Sequence, residues 1–233
     1  MLKNYVLILL TAVTFTAKAQ NGYNFSRIDF GLAGSANFVF GDAETIKATP
    51  SGSVSLNFNP ASPFVNYIAE VQFGRLAGGD SVRNVSGRQF KNNFTAYIIR
   101  AQVQAGEFID YSHSPMLNVL KNVYLSAGAG LVSNSISEIS RTTAEERGYP
   151  SPGKNNSTEF FVPLRAGYEL KIYNAYNEPT LKIDLAYQWN LMYEDNLDGI
   201  DAGRRKDIWG QVSLGVKIAI GSSTSYRKPI TFD

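Results

Sequence analysis

Histidine occurs once in the 233 residues, at position 113, between two serines in "DYSHSP". A hydroxyl beside an imidazole is the minimum for nucleophilic catalysis, but the ring must face the hydroxyl and be oriented by a third group. Ser112, His113 and Ser114 are consecutive, in a stretch that reads as a connection, so the loop reading outweighs the catalytic one. "DNLDGIDAG" (195–203) sets Asp195, Asp198 and Asp201 around Gly199, which is the donor chemistry of a Ca2+ loop. It lacks the glutamate that closes an EF-hand and is read as a solvated loop. "SAGAGLVS" is no phosphate loop: Gly128 and Gly130 alternate as along a strand, no lysine follows, and their expected use is to leave room inside. The absence of cysteine removes thiolate metal sites, cysteine nucleophiles and disulfides. No catalytic residue, metal or cofactor is expected.

The better constellation is a set of eight charges on strand-like segments: Asp29, Glu70, Arg100, Arg165, Glu169, Lys182, Asp184 and Lys217. A turn near residues 175–176 would set Glu169 opposite Lys182 and Arg165 diagonal to Asp184. A loop centred at 85 would set Glu70 opposite Arg100. If the last strand closes on the first, Lys217 and Asp29 should meet. Charges buried in a narrow interior must pair, so the set reads first as a plug. An ion path is the alternative and needs water-filled width.

Both readings need strands with two faces. In "RIDFGLAGSANFVFGD" (27–42) Ile28, Phe30, Leu32, Phe38 and Phe40 share one parity, and Asp29, Gly31, Ser35 and Asn37 the other. The pattern recurs to give eight strands, at about 26–41, 50–59, 64–74, 92–105, 122–135, 158–172, 180–194 and 207–220, followed by a tail, 221–233. Eight is an even number, as a closed antiparallel barrel requires. The connections 43–50, 75–91, 135–157 and 195–206 are rich in Gly, Asp, Asn and Ser and fit one end of the barrel. "NPASP" and "YNAYNE" are short turns at the other end, where 106–121 is longer and starts a helical turn at Ser114-Pro115.

The first nineteen residues stand apart. Lys3, an apolar run from Tyr5 to Phe15, and Ala17-Lys18-Ala19 make a signal peptide cleaved before Gln20, leaving 20–233 as one barrel domain. Cleavage removes two lysines and leaves 20 bases against 20 acids, so no basic excess points to nucleic acid. A soluble lipocalin-type barrel would clothe its outside in Lys and Glu. Here the apolar face is aromatic-rich, with Phe40, Phe73, Phe160, Trp189 and Tyr193 near one set of strand ends and Phe30, Phe58 and Tyr67 near the other. Twelve steps from Ile28 to Phe40 cover about 40 Å, or about 30 Å when tilted, enough for a ~25 Å lipid band. The expected fold is therefore an all-β, eight-stranded, up-and-down transmembrane barrel, apolar outward.

Together "AKAQ", "FGLAGSANFVFGD" and "VYLSAGAGLVSN" resemble small outer-membrane barrels of the PorT/OmpA type. The resemblance implies the outer membrane of a Gram-negative bacterium and a non-enzymatic structural or interaction role in the envelope. Partners would be membrane lipid and other envelope proteins, met through the loops or the 106–121 connection. It leaves an accessory subunit of a secretion or barrel-assembly complex, and a narrow pore, as alternatives. Barrels of this type often end on an aromatic residue of the last strand, whereas this chain runs on through "GSSTSYRKPITFD". No separate peptidoglycan-binding domain is expected.

Overall fold

The computed structural model describes residues 23–43, 45–82, 87–111, 114–141, 151–175, 177–194, 196–200 and 206–226. The predicted leader, His113 with Ser112, and Asp195 and Asp201 lie outside these. Eight strands form: β1 Tyr23–Phe40, β2 Thr49–Phe58, β3 Val65–Gly79, β4 Gln89–Gln104, β5 Val123–Ser140, β6 Asn156–Tyr173, β7 Pro179–Met192 and β8 Ile208–Tyr226. Each pairs antiparallel with the next, and β1 pairs with β8, closing the barrel in chain order. A closed sheet has no free edge strand, so the ladders pair within the wall, with an interruption between β5 and β6 from Ala127↔Leu164 to Gly130↔Phe161, beside Pro163, which has no N–H to donate.

The parity rule holds all round. Leu32, Leu56, Phe73, Ile99, Leu125 and Leu214 are each more than half exposed, whereas Asp29, Asn57, Gln72, Gln102, Gln188 and Gln211 on the other parity are at most 1% exposed. Every strand carries large apolar side chains outward. That is the reverse of a water-soluble barrel, whose apolar face would be the lumen.

The strands run further than their composition suggested. "AGG" (77–79) is ladder, not loop, because Leu76 and Phe90 beside it are 0% and 1% exposed. β5 likewise continues to Ser140. The expected tail from 221 begins as strand: β8 pairs with β1 as far as Tyr23↔Tyr226, past a register shift between Ser26 and Ile28. The Tyr226 ring anchors it, 6.5 Å from Phe25 and 6.1 Å from Phe64. The end where β1 begins and β8 finishes is called the near end below, and the opposite one the far end.

Candidate functional site: a layered lumen

The ladders fix which inward side chains share a level. Lys171 stands opposite Lys182, Lys182 opposite Lys217, and Lys217 opposite Gly31. One step toward the far end, Glu169 stands opposite Asp184. One step toward the near end on β1 is Asp29. A rung of three lysines thus lies between carboxylates above and below. Like charges directly across a ladder repel, so each lysine turns to the adjacent level. Lys217 Nζ donates to Glu169 Oε2 at 2.7 Å and lies 3.7 Å from Asp184 Oδ2. Lys182 Nζ donates to Asp29 Oδ2 at 2.6 Å.

Lys171, not singled out from sequence, donates to Gln104 Oε1 at 2.7 Å and to the Pro63 carbonyl at 3.0 Å. Gln104 turns its amide nitrogen to Glu169 Oε1 at 3.0 Å. Asp29 is completed by Asn59 Nδ2 at 3.0 Å and by the Ser26 hydroxyl. Arg165 donates to Asp184 Oδ2 at 2.8 Å and to the Tyr124 hydroxyl at 2.9 Å, and that hydroxyl donates to Asp184 Oδ1 at 2.6 Å. Arg100 clamps Glu70 Oε2 at 2.6 Å and Gln188 Oε1 at 3.1 Å. All these ions are buried. The arrangement is an ionic lattice in miniature, in which each buried charge has a counter-charge, hydrogen bonds or both.

Two expected pairs change partner, and the expected Glu70–Arg100 pair forms in a different register. Glu169 faces Asp184, not Lys182, because the β6–β7 turn closes further along the chain: Asn174 N donates to the Glu178 carbonyl, Asn177 takes φ 69°, and the register shifts after Ile172. Glu70 sits opposite Ile98 and Arg100 opposite Ile68, so the pair is diagonal rather than direct. Lys217 and Asp29 do lie inside on adjoining strands, but each has another partner. Lys182, at the level of Lys217, takes Asp29, which frees Lys217 for the carboxylates of β6 and β7.

The space for these layers comes from residues without side chains. A Cβ on Gly31 would lie 2.4 Å from Ser55 Oγ and 3.3 Å from Lys217 Cγ. Gly128 stands opposite Arg100, and Gly130 lies under the Phe161 ring, where a Cβ would come within 2.4 Å. On the β3–β5 wall some polar atoms have no partner among the described residues, including Asn66 Oδ1, both amide atoms of Gln102 and Ser126 Oγ. Such atoms are ordinarily completed by ordered water.

Toward the far end the lumen becomes apolar. Trp209 is fully buried against Phe94, with ring centroids 4.7 Å apart, and Phe161, at 5.9 Å. Val39, Leu76, Phe90 and Met192 fill in around them. The indole nitrogen donates to Asn37 Oδ1 at 3.0 Å, which satisfies the one polar atom of the ring. The β7–β8 connection folds down on this layer, with Leu197 and Ile200 at 0% exposure.

That corrects the reading of 195–203 as a solvated loop: of its described part, 196–200, residues 197–200 are buried and Asn196 is half-buried. Asp198 accepts the backbone N–H of Ile200 at 2.8 Å and of Asp42 at 3.1 Å, and Asp207 accepts that of Leu197 at 3.1 Å. These carboxylates accept backbone N–H groups of the turn and of Asp42 in the β1–β2 connection, and among the described residues no group of three His, Asp or Glu side chains could hold a metal ion. Gly199, at φ 74°, takes the left-handed turn that lets the segment double back.

The near end is closed by a short folded connection. Ala105–Glu107 forms a 3-10 turn, and α1, Pro115–Leu120, follows with Ser114 as its N-cap, its hydroxyl accepting from Leu117 N at 3.4 Å. Tyr111 packs on Phe64 at 5.6 Å, with Ile109 and Leu117 alongside. Lys171 from the lysine rung sits 4.9 Å over the Phe64 ring. Lys121, after α1, donates to Asn118 Oδ1 and lies 5.1 Å over Tyr111. Burial pulls its ammonium down to about 8.

The sequence matches no protein-family model and none of the curated proteins. Seventeen solved chains resemble the structure. Neisserial surface protein A (NspA) aligns over 86% of this chain and 100% of its own at 13% identity, with a TM-score of 0.48. Ail, the attachment invasion locus protein of Yersinia pestis, aligns over 83% and 97% at 12% identity, TM-score 0.44. OprG of Pseudomonas aeruginosa aligns over 86% and 99% at 11% identity, TM-score 0.37. Likenesses this distant assign no role.

Proposed function

We propose that this chain is an integral outer-membrane barrel of a Gram-negative bacterium that works through its surfaces, as a structural or interaction component of the envelope, and not through its lumen. The observation that carries the reading is the stacking inside the wall: an aromatic layer under a buried loop at the far end, compensated charges in the middle, and the Phe64–Tyr111 layer at the near end. Paired charges in a lumen of eight strands act as a permanent plug, because separating them in a confined interior leaves each without a partner. The outward apolar face supports lipid contact, since water would make so large an exposed apolar surface costly.

The PorT/OmpA-type resemblance belongs to the same reading, and the accessory-subunit role it implies would use the loops or the near-end connection. The plug weighs against a narrow pore. Two measurements test the reading. The protein should sediment with outer-membrane fractions and run at different positions on gels before and after boiling. Reconstituted in planar bilayers it should show no sustained conductance. Recovery from the soluble periplasmic fraction, or steady single-channel currents, would each overturn it.

A further inference from the structure

The described residues of the near-end connection are held on their inner side and yet leave large apolar side chains uncovered on the other. Its inner side is fixed by Ile109, Tyr111 and Leu117 on Phe64, by Ser62 Oγ donating to Glu107 Oε2 at 2.7 Å, and by Gly106 N donating to the Lys121 carbonyl at 2.9 Å. On its outer side Phe108 is 78% and Met116 71% exposed, and Leu120 is 37% exposed. A loop with no apolar contact to make would carry polar residues at such positions.

Their place along the wall says what covers them. Leu120 comes three residues before Val123, the first outward residue of β5, and Phe108 comes five after Val103, an outward-parity residue of β4 paired with Leu125. Val123 and Leu125 are 39% and 69% exposed and belong to the apolar belt. The uncovered side chains therefore lie within five residues of belt residues at Phe108 and Leu120, and one turn of the short helix separates Met116 from Leu120. Among its described residues the segment offers no exposed cation. Its one lysine, Lys121, is 7% exposed and turned toward Tyr111 and Asn118.

We infer that the described residues of this connection, 106–111 and 114–121, form an apolar foot that rests in the interfacial region of the membrane leaflet at the near end, with Phe108 and Met116 inserted among the lipids. The inference rests on the belt facing lipid. It identifies the lipid surface, not another protein, as the occupant of this face. A foot held by apolar burial and not by charge binds zwitterionic and anionic lipid alike. It would fix the depth of the β4–β5 edge, as aromatic residues at an interface do.

The test is tryptophan quenching in phosphatidylcholine vesicles containing acyl-chain-brominated lipid. Trp189, 44% exposed on the belt, is the control in the unmodified protein, since Trp209 is buried inside. In a Trp189→Phe background, Phe108→Trp and, separately, Met116→Trp place the probe on the foot. The inference expects bromine near the lipid carbonyls to quench both probes several-fold more than bromine deep in the chain. It also expects shielding from aqueous iodide, unchanged when phosphatidylglycerol replaces part of the phosphatidylcholine. Iodide quenching without bromine quenching at both positions, with Trp189 still quenched by bromine, overturns the foot alone and leaves the face to a protein partner. Loss of bromine quenching at Trp189 as well overturns the belt and the foot together.

Discussion

The middle and the far end of one lumen solve the same packing problem with opposite chemistry. At the level of Glu169 the interior holds ions, each answered by another. Eight residues up the same strand, Phe161 stands among Trp209, Phe94 and Met192, and the uncharged Asn37 and Asn190 beside them bond to Trp209. The two levels are roughly 26 Å apart along β6. Filling with rings needs only volume and is indifferent to which ring sits where, within limits. Filling with charges needs every partner present, because an ion left alone inside costs far more than a lost contact. The middle should therefore break when any single member is removed, and the far end should yield gradually with volume.

The largest expected effect follows directly. Lys217→Met leaves Glu169 and Asp184 facing each other across a ladder without the ammonium between them. It should cost about 3–5 kcal/mol, read as a lowered urea midpoint for unfolding from detergent or lipid. Adding Glu169→Gln should recover part of that loss, so the double variant costs less than the sum. A strictly additive result would mean that these charges do not act as one lattice. The coupling belongs to Lys217 with Glu169 and to Lys182 with Asp29, and a Lys217–Asp29 cycle should show markedly less.

The same contrast explains what could be read from the sequence. Where the lumen is charged, alternation is plain: Arg165, Glu169 and Lys171 against Leu164, Leu170 and Ile172 on β6. Strand number, closure and outward parity follow from it. Where the lumen is aromatic, the inside and outside residues are both apolar, as in Phe160-Phe161, Leu191-Met192 and Ile208-Trp209, and the alternation vanishes. Those adjacent pairs near far ends were the available signal for a second, apolar layer. Partner choice was less legible, because it depends on turn details such as Asn177 and the shift after Ile172, which move a register by two residues and replace a lysine by an aspartate.

Next in size is a test of inside against outside. Leu185 points outward at 51% exposure and Ala186 inward at 5%. Leu185→Arg, near the middle of β7, should cost about 2–4 kcal/mol of barrel stability in lipid. Ala186→Ser should be nearly silent, since its hydroxyl would sit beside Ser213, its ladder partner. Reversed costs would turn the barrel inside out.

The aromatic layer has its own test, of intermediate size. Gly130→Ala places a methyl within 2.4 Å of the Phe161 ring, which must shift against Trp209. Overpacking of this kind costs about 1–3 kcal/mol. Combining it with Phe161→Leu, which returns volume, should restore part of the loss. No analogous trimming should rescue Lys217→Met, and that difference in rescue separates packing by volume from packing by charge.

The smallest effect is expected at the near end, where Lys121 donates to Asn118 and lies over the face of Tyr111. Its folded pKa of about 8 lies below the ordinary 10.5, so folding disfavours its charged form. Between those values the unfolded chain binds the extra proton, and stability should rise with pH from about 8 to 10.5. Below that window the full cost of keeping the ammonium charged is present and constant. Lys121→Met should remove this part of the pH dependence while leaving the rest of the profile in place. Denaturant midpoints measured at pH 7.5, 9 and 10 for both proteins check the sign. A midpoint in the unmodified protein that falls relative to the variant over that range would show that folding favours the charged form of Lys121, as the ionic layers do for theirs.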